Sequence, residues 1–347
     1  MSKVRKILKP LAILYGEVVK VRNKMYDKGT LKSTKFDMPI IVVGNLSVGG
    51  TGKSPMIEYL VRLLQKEYKI AVLSRGYKRT TKGFQLANST STALEIGDEP
   101  LQFYKKFTDI LVAVDTKRVN GIKQLKSLEN PPEIILLDDA FQHRKVEAGF
   151  NILLTPYSKL YVDDSMLPSG DLRENIVGAK RADIIIVTKC PDNLTEIEQF
   201  EITKKLHIEL TQTVFFTKIE YDNSVISKSK EIQLSDLNEY EILLVTGIAK
   251  TKPLTEFLKL KNIKFNHLKY KDHYSFKKKD IVKIKTDFDK IIAKKKVILT
   301  TEKDFVRNFE NVAYEVYYLS IQTKFLDFKE SFNTKIKRYV EQSTRNR

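Results

Sequence analysis

Residues 40–54 read Ile-Ile-Val-Val-Gly-Asn-Leu-Ser-Val-Gly-Gly-Thr-Gly-Lys-Ser, and this stretch decides the fold. Its first four residues are apolar without alternation, which is typical of a strand buried on both faces of a sheet. The glycines at 49, 50 and 52 let the backbone approach phosphate oxygens closely. The helix predicted to begin near Lys53 points free backbone N–H groups at the same anion. The stretch is therefore typical of a P-loop.

The P-loop predicts a nucleoside triphosphate as the ligand and Mg²⁺ as its metal ion. Lys53 is expected to reach the β- and γ-phosphates, and the Ser54 hydroxyl to help hold Mg²⁺. The usual motif begins with glycine where this chain has Ser47, but the strand before the turn and the helix after it support the assignment. The predicted nucleotide-binding residues are Ser47, Val48, Gly49, Gly50, Thr51, Gly52, Lys53 and Ser54.

Apolar runs alternate with helix-length segments along the first two thirds of the chain. This order predicts an α/β fold, a P-loop NTPase-like, doubly wound and mostly parallel sheet, with a second, smaller α/β domain. The predicted strands of the large domain are 40–43, 70–73, 110–114, 134–137, 152–154 and 184–187. The predicted bounds are 1–27 for an N-terminal amphipathic helix, 28–215 for the P-loop domain with 308–347 returning to it, and 216–307 for the smaller domain.

Two acids, Asp138 and Asp139, directly follow the apolar run 134–137. A carboxylate at the end of a strand beside a P-loop commonly serves Mg²⁺ in nucleotide-binding enzymes. Two acids in this position can also form a turn or a helix cap. The P-loop upstream favours the metal, so Asp138 and Asp139 are predicted on the Mg²⁺ side together with Ser54.

A second acidic pair, Asp98 and Glu99, precedes a predicted helix. Asp98 could cap that helix, or it could orient or deprotonate an acceptor hydroxyl, particularly with a histidine partner. Among the four histidines, His143 lies close to the Asp138–Asp139 pair in sequence, and His273 follows an aspartate that could orient its ring. The residues alone leave both roles of Asp98 open.

The net charge of +18 predicts an acidic partner. No nucleic-acid recognition motif accompanies the lysines, so a membrane surface is favoured and nucleic acid is not expected. No apolar run reaches the length of about 18 residues that spans a bilayer.

The first 26 residues combine cations with an apolar stripe at helical spacing. Such a helix can lie in the lipid headgroup layer, or it can pack its stripe on the domain core, and the sequence leaves both open. Pro10 is predicted in its first turn. The stripe consists of Val4, Ile7, Leu8, Leu11, Leu14, Tyr15, Val18 and Val19.

Seven motifs in fixed order resemble the tetraacyldisaccharide 4′-kinases, the lipid A 4′-kinases of Gram-negative bacteria. That family shares the P-loop without a first glycine. The resemblance covers most of the chain. The motifs are VGNLSVGGTGKSP at 43–55, SRGY at 74–77, GDEP at 97–100, DDAFQHR at 138–144, LPSGDLRE at 167–174, DH at 272–273 and TEKD at 301–304.

The resemblance implies a kinase that uses MgATP to phosphorylate the 4′-hydroxyl of a tetraacylated glucosamine disaccharide 1-phosphate, giving lipid IVA. It implies a peripheral location on the cytoplasmic face of the inner membrane. Asp98 and His273 would activate the hydroxyl and Lys53 would hold phosphate. The residues implied to line the substrate region are Arg75, Tyr77, Glu99, His143 and Arg173. The chain departs from the common family pattern at Lys78, Ala140, Asp171 and Asn175, none of which is a proposed catalytic group.

The main alternative is a P-loop GTPase or ATPase switch that has no lipid acceptor. Residues 188–192, Thr-Lys-Cys-Pro-Asp, partly match the guanine-reading motif Asn-Lys-x-Asp, but threonine replaces asparagine and the aspartate stands one residue late. Such a switch leaves the N-terminal stripe unexplained.

Overall fold

The structure is a computed structural model that describes residues 5, 7–272, 274–310 and 312–345. The chain divides into two compact units. Unit 1 comprises Met1–Ile219 with Thr323–Arg347, and unit 2 comprises Glu220–Gln322. Each unit contains a mostly parallel sheet with helices, so the predicted α/β class is confirmed.

Unit 1 contains an eight-stranded sheet in the order β3-β4-β2-β5-β1-β6-β7-β8, parallel except for the edge strand β3. All six strands predicted for this part of the chain are present. The strands are β1 Ile40–Asn45, β2 Ile70–Ser74, β3 Gln85–Leu86, β4 Leu111–Val114, β5 Ile134–Asp138, β6 Phe150–Pro156, β7 Ile184–Thr188 and β8 Thr213–Ile226.

Successive residues of the central strands enter two separate cores. In β1, Ile40 and Val42 pack in one core while Ile41 and Val43 pack in the other, all at most 3% exposed. Both faces of the sheet are therefore covered, which is why these runs are apolar throughout. The helices of the first part of unit 1 are α1 Lys9–Asp27, α2 Lys53–Leu64, α3 Ala93–Ile96, α4 Asp98–Lys106, α5 Arg118–Lys126 and α6 Glu196–Lys205, with 3₁₀ turns at Tyr161–Asp163 and Ile176–Arg181.

Unit 2 has a parallel sheet in the order β11-β10-β12-β13, and β9 pairs antiparallel with the end of β8. Its strands are β9 Glu231–Gln233, β10 Glu241–Thr246, β11 Phe265–Lys269, β12 Lys296–Thr301 and β13 Tyr317–Phe325. Its helices are α7 Lys252–Leu260, α8 Lys278–Asp289 and α9 Glu302–Asp304, with a 3₁₀ turn at Leu234–Glu239 and a π-helical turn at Phe305–Phe309.

Strand β13 carries the chain back to unit 1, where it ends in α10, Lys329–Arg345. The return begins at Thr323, later than the predicted residue 308, because β13 still pairs with β12 up to Leu319. Helix α10 buries Phe332, and the Tyr339 hydroxyl both donates to the Ile40 carbonyl and accepts its N–H, so the chain end supports the P-loop strand.

Candidate active site

The P-loop connects the carboxyl end of β1 to the start of α2. Gly49 and Gly52 have φ of +111° and +96°, in the left-handed region that favours glycine. Since α2 begins at Lys53, the backbone N–H groups of its first turn have no partner within the helix. The loop therefore directs free N–H groups at one point, which suits an anion.

Two residues at the end of β7 hold the P-loop from one side. The Thr188 hydroxyl donates to the Thr51 carbonyl at 2.7 Å, and Lys189 Nζ donates to the Gly50 carbonyl at 2.6 Å. Both bonds occupy carbonyl oxygens, so the N–H groups on the opposite edges of these peptides stay available to an anion. The segment that had partly matched a guanine-reading motif thus supports the phosphate loop itself.

The segment 171–174, called here the 171–174 loop, holds the P-loop from the other side. The Val48 N–H donates to the Asp171 carbonyl at 2.8 Å, and the Arg173 N–H donates to the Leu46 carbonyl at 2.7 Å. Between these two bonds, Ser47 forms an antiparallel bridge with Leu172. The first half of the P-loop is consequently fixed by backbone pairing.

Asp139 is the carboxylate on which the cations beside the P-loop converge. Its carboxylate accepts two hydrogen bonds from the Arg173 guanidinium, at 3.0 and 2.7 Å, and lies 3.6 Å from Lys53 Nζ. Burial would raise the pKa of Asp139, but Lys53 and Arg173 outweigh it and lower the pKa to about 2. Asp139 is therefore ionised, and Lys53 and Arg173 converge on it beside the P-loop.

The adjacent Asp138 has the opposite electrostatics. Burial and the neighbouring Asp139 charge raise its pKa to about 6. Its Oδ2 accepts from the Ser74 hydroxyl at 3.1 Å, while its Oδ1 is buried and has no hydrogen-bond partner in the described structure. An oxygen of this kind fits a hard divalent cation.

No group of three or more His, Cys, Asp or Glu side chains that could hold a metal exists among the described residues. A cation here would need oxygens from a bound ligand as well. Nucleotide phosphates supply such oxygens in P-loop enzymes, where protein and phosphate share the ion. Ser54, in the first turn of α2, is the hydroxyl available from the P-loop.

The raised pKa of Asp138 predicts a pH-dependent effect of Asp138→Asn on stability. The folded protein holds this proton up to pH of about 6, whereas the unfolded chain loses it near 3.8, so the wild type loses stability as pH rises through this window. The variant lacks this loss. Without nucleotide or metal, we expect its advantage in free energy of unfolding to grow from near zero at pH 4 towards roughly 3 kcal/mol at pH 7.

Denaturant unfolding at several pH values measures this difference. Asp109→Asn, at an exposed aspartate, is the control and should show no comparable trend. An advantage of Asp138→Asn that did not change with pH would contradict the assignment.

Sequence reasoning missed two polar residues of the site. Asn45 ends β1, and its Oδ1 accepts from Lys53 at 3.2 Å and also from Arg173. Arg118 is 2% exposed and donates to the Asp138 carbonyl at 3.2 Å, and burial lowers its pKa to about 10. Both follow or end strands at the carboxyl edge of the sheet, and that position is the signal that could have identified them.

Asp98 and Glu99 open helix α4, and the structure brings this end near the carboxylates, since the Glu99 charge contributes to the raised pKa of Asp138. Helix α4 is fixed to the P-loop helix α2 by the buried Glu58, which accepts from Gln102 at 3.0 Å and pairs with Lys106 at 2.8 Å. The acids are therefore carried on a helix that a buried carboxylate ties to the P-loop helix.

The Ser-Arg-Gly-Tyr segment 74–77 adjoins the start of α4, because a Cβ on Gly97 would lie 3.3 Å from the Tyr77 carbonyl. Tyr77 is 63% exposed, with Lys78 Nζ 5.5 Å from its ring centre. Lys78 has a φ of +60°, in the left-handed region that favours glycine.

His143 lies within the influence of the same charges. Burial lowers its pKa, and the positive charges of Arg118 and Arg75 lower it further, to about 4. The ring is neutral at pH 7, so it can donate or accept a hydrogen bond but supplies no charge. The residues predicted in unit 1 thus lie at one edge of its sheet.

His273 lies outside the described residues, and its partnership with Asp98 stays a prediction. In the TEKD motif of unit 2, Thr301 and Asp304 have a structural role. The Asp304 carboxylate is fully buried and accepts from the Gly247 N–H at 2.9 Å and from the Thr301 hydroxyl at 2.8 Å, which ties the loop after β10 to the end of β12.

Comparison with known proteins matches nearly the whole chain to one family. The family model for Tetraacyldisaccharide-1-P 4'-kinase matches residues 4–341. Tetraacyldisaccharide 4'-kinases of Flavobacterium johnsoniae and Flavobacterium psychrophilum are 50% identical over 344 residues and 52% identical over 349 residues. The alignments cover 99% of both chains in the first case and 100% of both in the second.

A solved structure is also similar. It is that of LpxK from Aquifex aeolicus in complex with ATP, with a TM-score of 0.78 and 31% identity, covering 97% of this chain and 99% of that one. The resemblance inferred from the seven motifs is confirmed.

Proposed function

This chain belongs to the tetraacyldisaccharide-1-P 4'-kinase family, and from that premise we propose a role for each group of the site in unit 1. The chain is a lipid A 4′-kinase, which phosphorylates the 4′-hydroxyl of tetraacyldisaccharide 1-phosphate to give lipid IVA. The observation that carries the assignment of roles is the convergence of Lys53 and Arg173 on Asp139 next to the P-loop.

ATP binds with its triphosphate in the P-loop. The N–H groups of residues 49–54 contact the phosphate oxygens, and Lys53 follows the γ-phosphoryl group as it leaves the β-phosphate. The related structure from Aquifex aeolicus, solved in complex with ATP, supports ATP as the nucleotide. The Lys53–Asp139 contact at 3.6 Å is loose enough for the ammonium group to turn to phosphate when nucleotide arrives.

Mg²⁺ would be held by Asp138, Asp139 and Ser54 together with phosphate oxygens. The buried Oδ1 of Asp138 without a donor supports this role. When bound, the ion neutralises phosphate charge. Asp139 meanwhile holds the Arg173 guanidinium, whose positive charge is then available to the transferring phosphoryl group.

Asp98 acts on the acceptor. It takes the proton of the 4′-hydroxyl while the sugar oxygen forms its bond to the γ-phosphorus and the bond from that phosphorus to the β,γ-bridging oxygen breaks, leaving ADP. Glu99, Arg75, Tyr77 and His143 surround this edge of unit 1 and would contact the sugar or its phosphate. The partnership of His273 with Asp98 rests on the sequence resemblance.

The enzyme binds a membrane surface through α1, and we place it on the cytoplasmic face of the inner membrane. The sequence left open whether α1 lies in the lipid headgroup layer or packs on the domain core. We propose that one face of the helix packs on the core and another face contacts lipid. Ala12 and Val19 are buried against unit 1, with Gly16 partly buried between them. The exposed face carries a second stripe at three- and four-residue spacing, Ile7, Leu11, Leu14, Val18, Val21 and Met25, each 36–76% exposed.

This exposed stripe fits the acyl region of a lipid surface, and the net charge of +18 fits anionic headgroups. No helix in the described part of the chain has the length and apolarity needed to cross a bilayer. The acylated substrate itself resides in a membrane, so the stripe and the substrate share one surface.

Replacing the exposed stripe should weaken membrane binding. We expect Leu14→Asp with Val18→Asp to lower partitioning onto vesicles containing anionic lipid by at least about 100-fold, because each buried aliphatic side chain contributes about 1.5 kcal/mol or more. Vesicle flotation measures this. Leu260→Asp, at an exposed leucine of α7 in unit 2, is the control and should bind like the wild type. Equal binding of the stripe variant would refute the membrane role of α1.

Transfer of ³²P tests the function as a whole. Purified protein in detergent micelles should move label from [γ-³²P]ATP to tetraacyldisaccharide 1-phosphate, and GTP should be the poorer donor. The aspartate of the partial guanine-reading motif, Asp192, pairs with Lys218 at 2.6 Å and is 79% exposed, which offers no support for guanine recognition. GTP hydrolysis that ignored the lipid would favour the switch alternative.

A further inference from the structure

The inner face of α1 contacts the active-site scaffold as well as the protein core. Two side chains of α1 and one from just before it form hydrogen bonds to the 171–174 loop. Arg5 donates to the Asp171 carboxylate at 2.9 Å, the Tyr15 hydroxyl donates to the Arg173 carbonyl at 3.0 Å, and Asn23 donates to Glu174 at 2.7 Å. The helix thus spans the loop from end to end.

The same loop forms one side of the catalytic edge. Its backbone pairs with Leu46 and Val48 of the P-loop, and its Arg173 guanidinium holds Asp139. A displacement of the loop at Arg173 would therefore move the guanidinium away from Asp139.

We infer that Tyr15 is a positioning residue for phosphoryl transfer, acting through Arg173 by fixing the 171–174 loop from the membrane-facing helix. The inference rests on the proposed roles of Arg173 and of α1. Helix α1 is then part of the active-site scaffold as well as a membrane anchor.

The loop needs such support because it has no regular secondary structure of its own beyond isolated bridges. Its far end is rigid, since Glu174 is fully buried and accepts two hydrogen bonds from Arg181, at 2.6 and 3.0 Å. Its near end is held by Lys159, which pairs with Asp171 at 2.7 Å. Tyr15 bonds the carbonyl of Arg173 itself, between these two anchors.

Positioning matters here because the guanidinium must meet the transferring group at a defined place. A misplacement of about 1 Å can cost on the order of 100-fold in rate. The Tyr15 hydroxyl bond is partly exposed to water and contributes little to overall stability, so its removal should separate positioning from folding.

Tyr15→Phe removes this one hydroxyl and keeps the ring. We expect kcat to fall about three- to ten-fold, the effect of one hydrogen bond, with the KM for ATP and the melting temperature unchanged. Tyr26→Phe is the matched control. Tyr26 lies on the same side of α1, with the Arg144 guanidinium 5.1 Å from its ring centre, and its hydroxyl is not bonded to the loop. That variant should keep the wild-type kcat.

A double-mutant cycle with Arg173→Ala decides whether Tyr15 acts through Arg173. If it does, Tyr15→Phe should lower the residual ³²P transfer of Arg173→Ala by less than about two-fold. The same fold loss in both backgrounds, or no loss in the single variant, would overturn the inference and leave the proposed function intact. Wild-type activity of Arg173→Ala would overturn the proposed role of Arg173 and this inference with it.

Discussion

Lys53→Ala is expected to lower kcat by about 10³-fold, the largest effect of any single change proposed for this chain. Lys53 is the cation of the P-loop, and its ammonium group already lies 3.6 Å from Asp139 and 3.2 Å from Asn45, among the polar groups of the site. Steady-state transfer of ³²P to the lipid acceptor measures the loss.

Lys66→Ala is the matched control, since Lys66 lies just beyond the other end of α2 and is exposed. It should behave as the wild type. The Lys53 variant should also remain folded, because the residue is only partly buried and its removal leaves the core of unit 1 unchanged. Near-normal transfer by folded Lys53→Ala would refute the P-loop assignment.

Asp98→Asn is expected to lower kcat by about 10²- to 10³-fold while the affinity for ATP changes less than about three-fold. The amide cannot accept the proton of the 4′-hydroxyl, but it preserves the size of the side chain at the start of α4. Equilibrium binding of a fluorescent ATP analogue, measured beside kcat, separates the two quantities. Asp109→Asn, just beyond the other end of α4, is the control.

The outcome also distinguishes the two interpretations of Asp98 that the sequence left open. If Asp98 only stabilised the start of α4, Asp98→Asn would lower the melting temperature and leave kcat nearly unchanged. A loss of ATP affinity would instead place Asp98 on the nucleotide side of the site.

Much of the site could be predicted because it is encoded locally. A P-loop is a continuous segment, so a strand, three glycines and Lys53-Ser54 are visible in sequence. Asp138 and Asp139 were predictable because a strand that ends in acids presents them at the carboxyl edge of a parallel sheet, where the P-loop also lies. The strands of unit 1 were predictable for a similar reason, since burial on both faces leaves uninterrupted apolar runs.

Other features depend on contacts between residues that are far apart in the sequence. Arg173 meets Asp139 across 34 residues of sequence, and no spacing rule predicts that contact. The sheet order β5-β1-β6 decides which strand ends adjoin the P-loop, and thereby brings the 171–174 loop to it. The return of the chain to unit 1 also depended on how far β13 remains paired, which is why its start was placed too early.

By itself, the sequence of this protein determined the α/β class, the phosphate loop, the acids at the strand ends and the amphipathic character of the N-terminal helix, because each is written in neighbouring residues. Only the tertiary structure decided that Asp138 and Asp139 have opposite electrostatics, and which face of α1 is buried and which exposed. Burial and charge at a carboxylate depend on what the rest of the chain brings beside it, and one residue of rotation on a helix separates a face packed on the protein from one left to solvent.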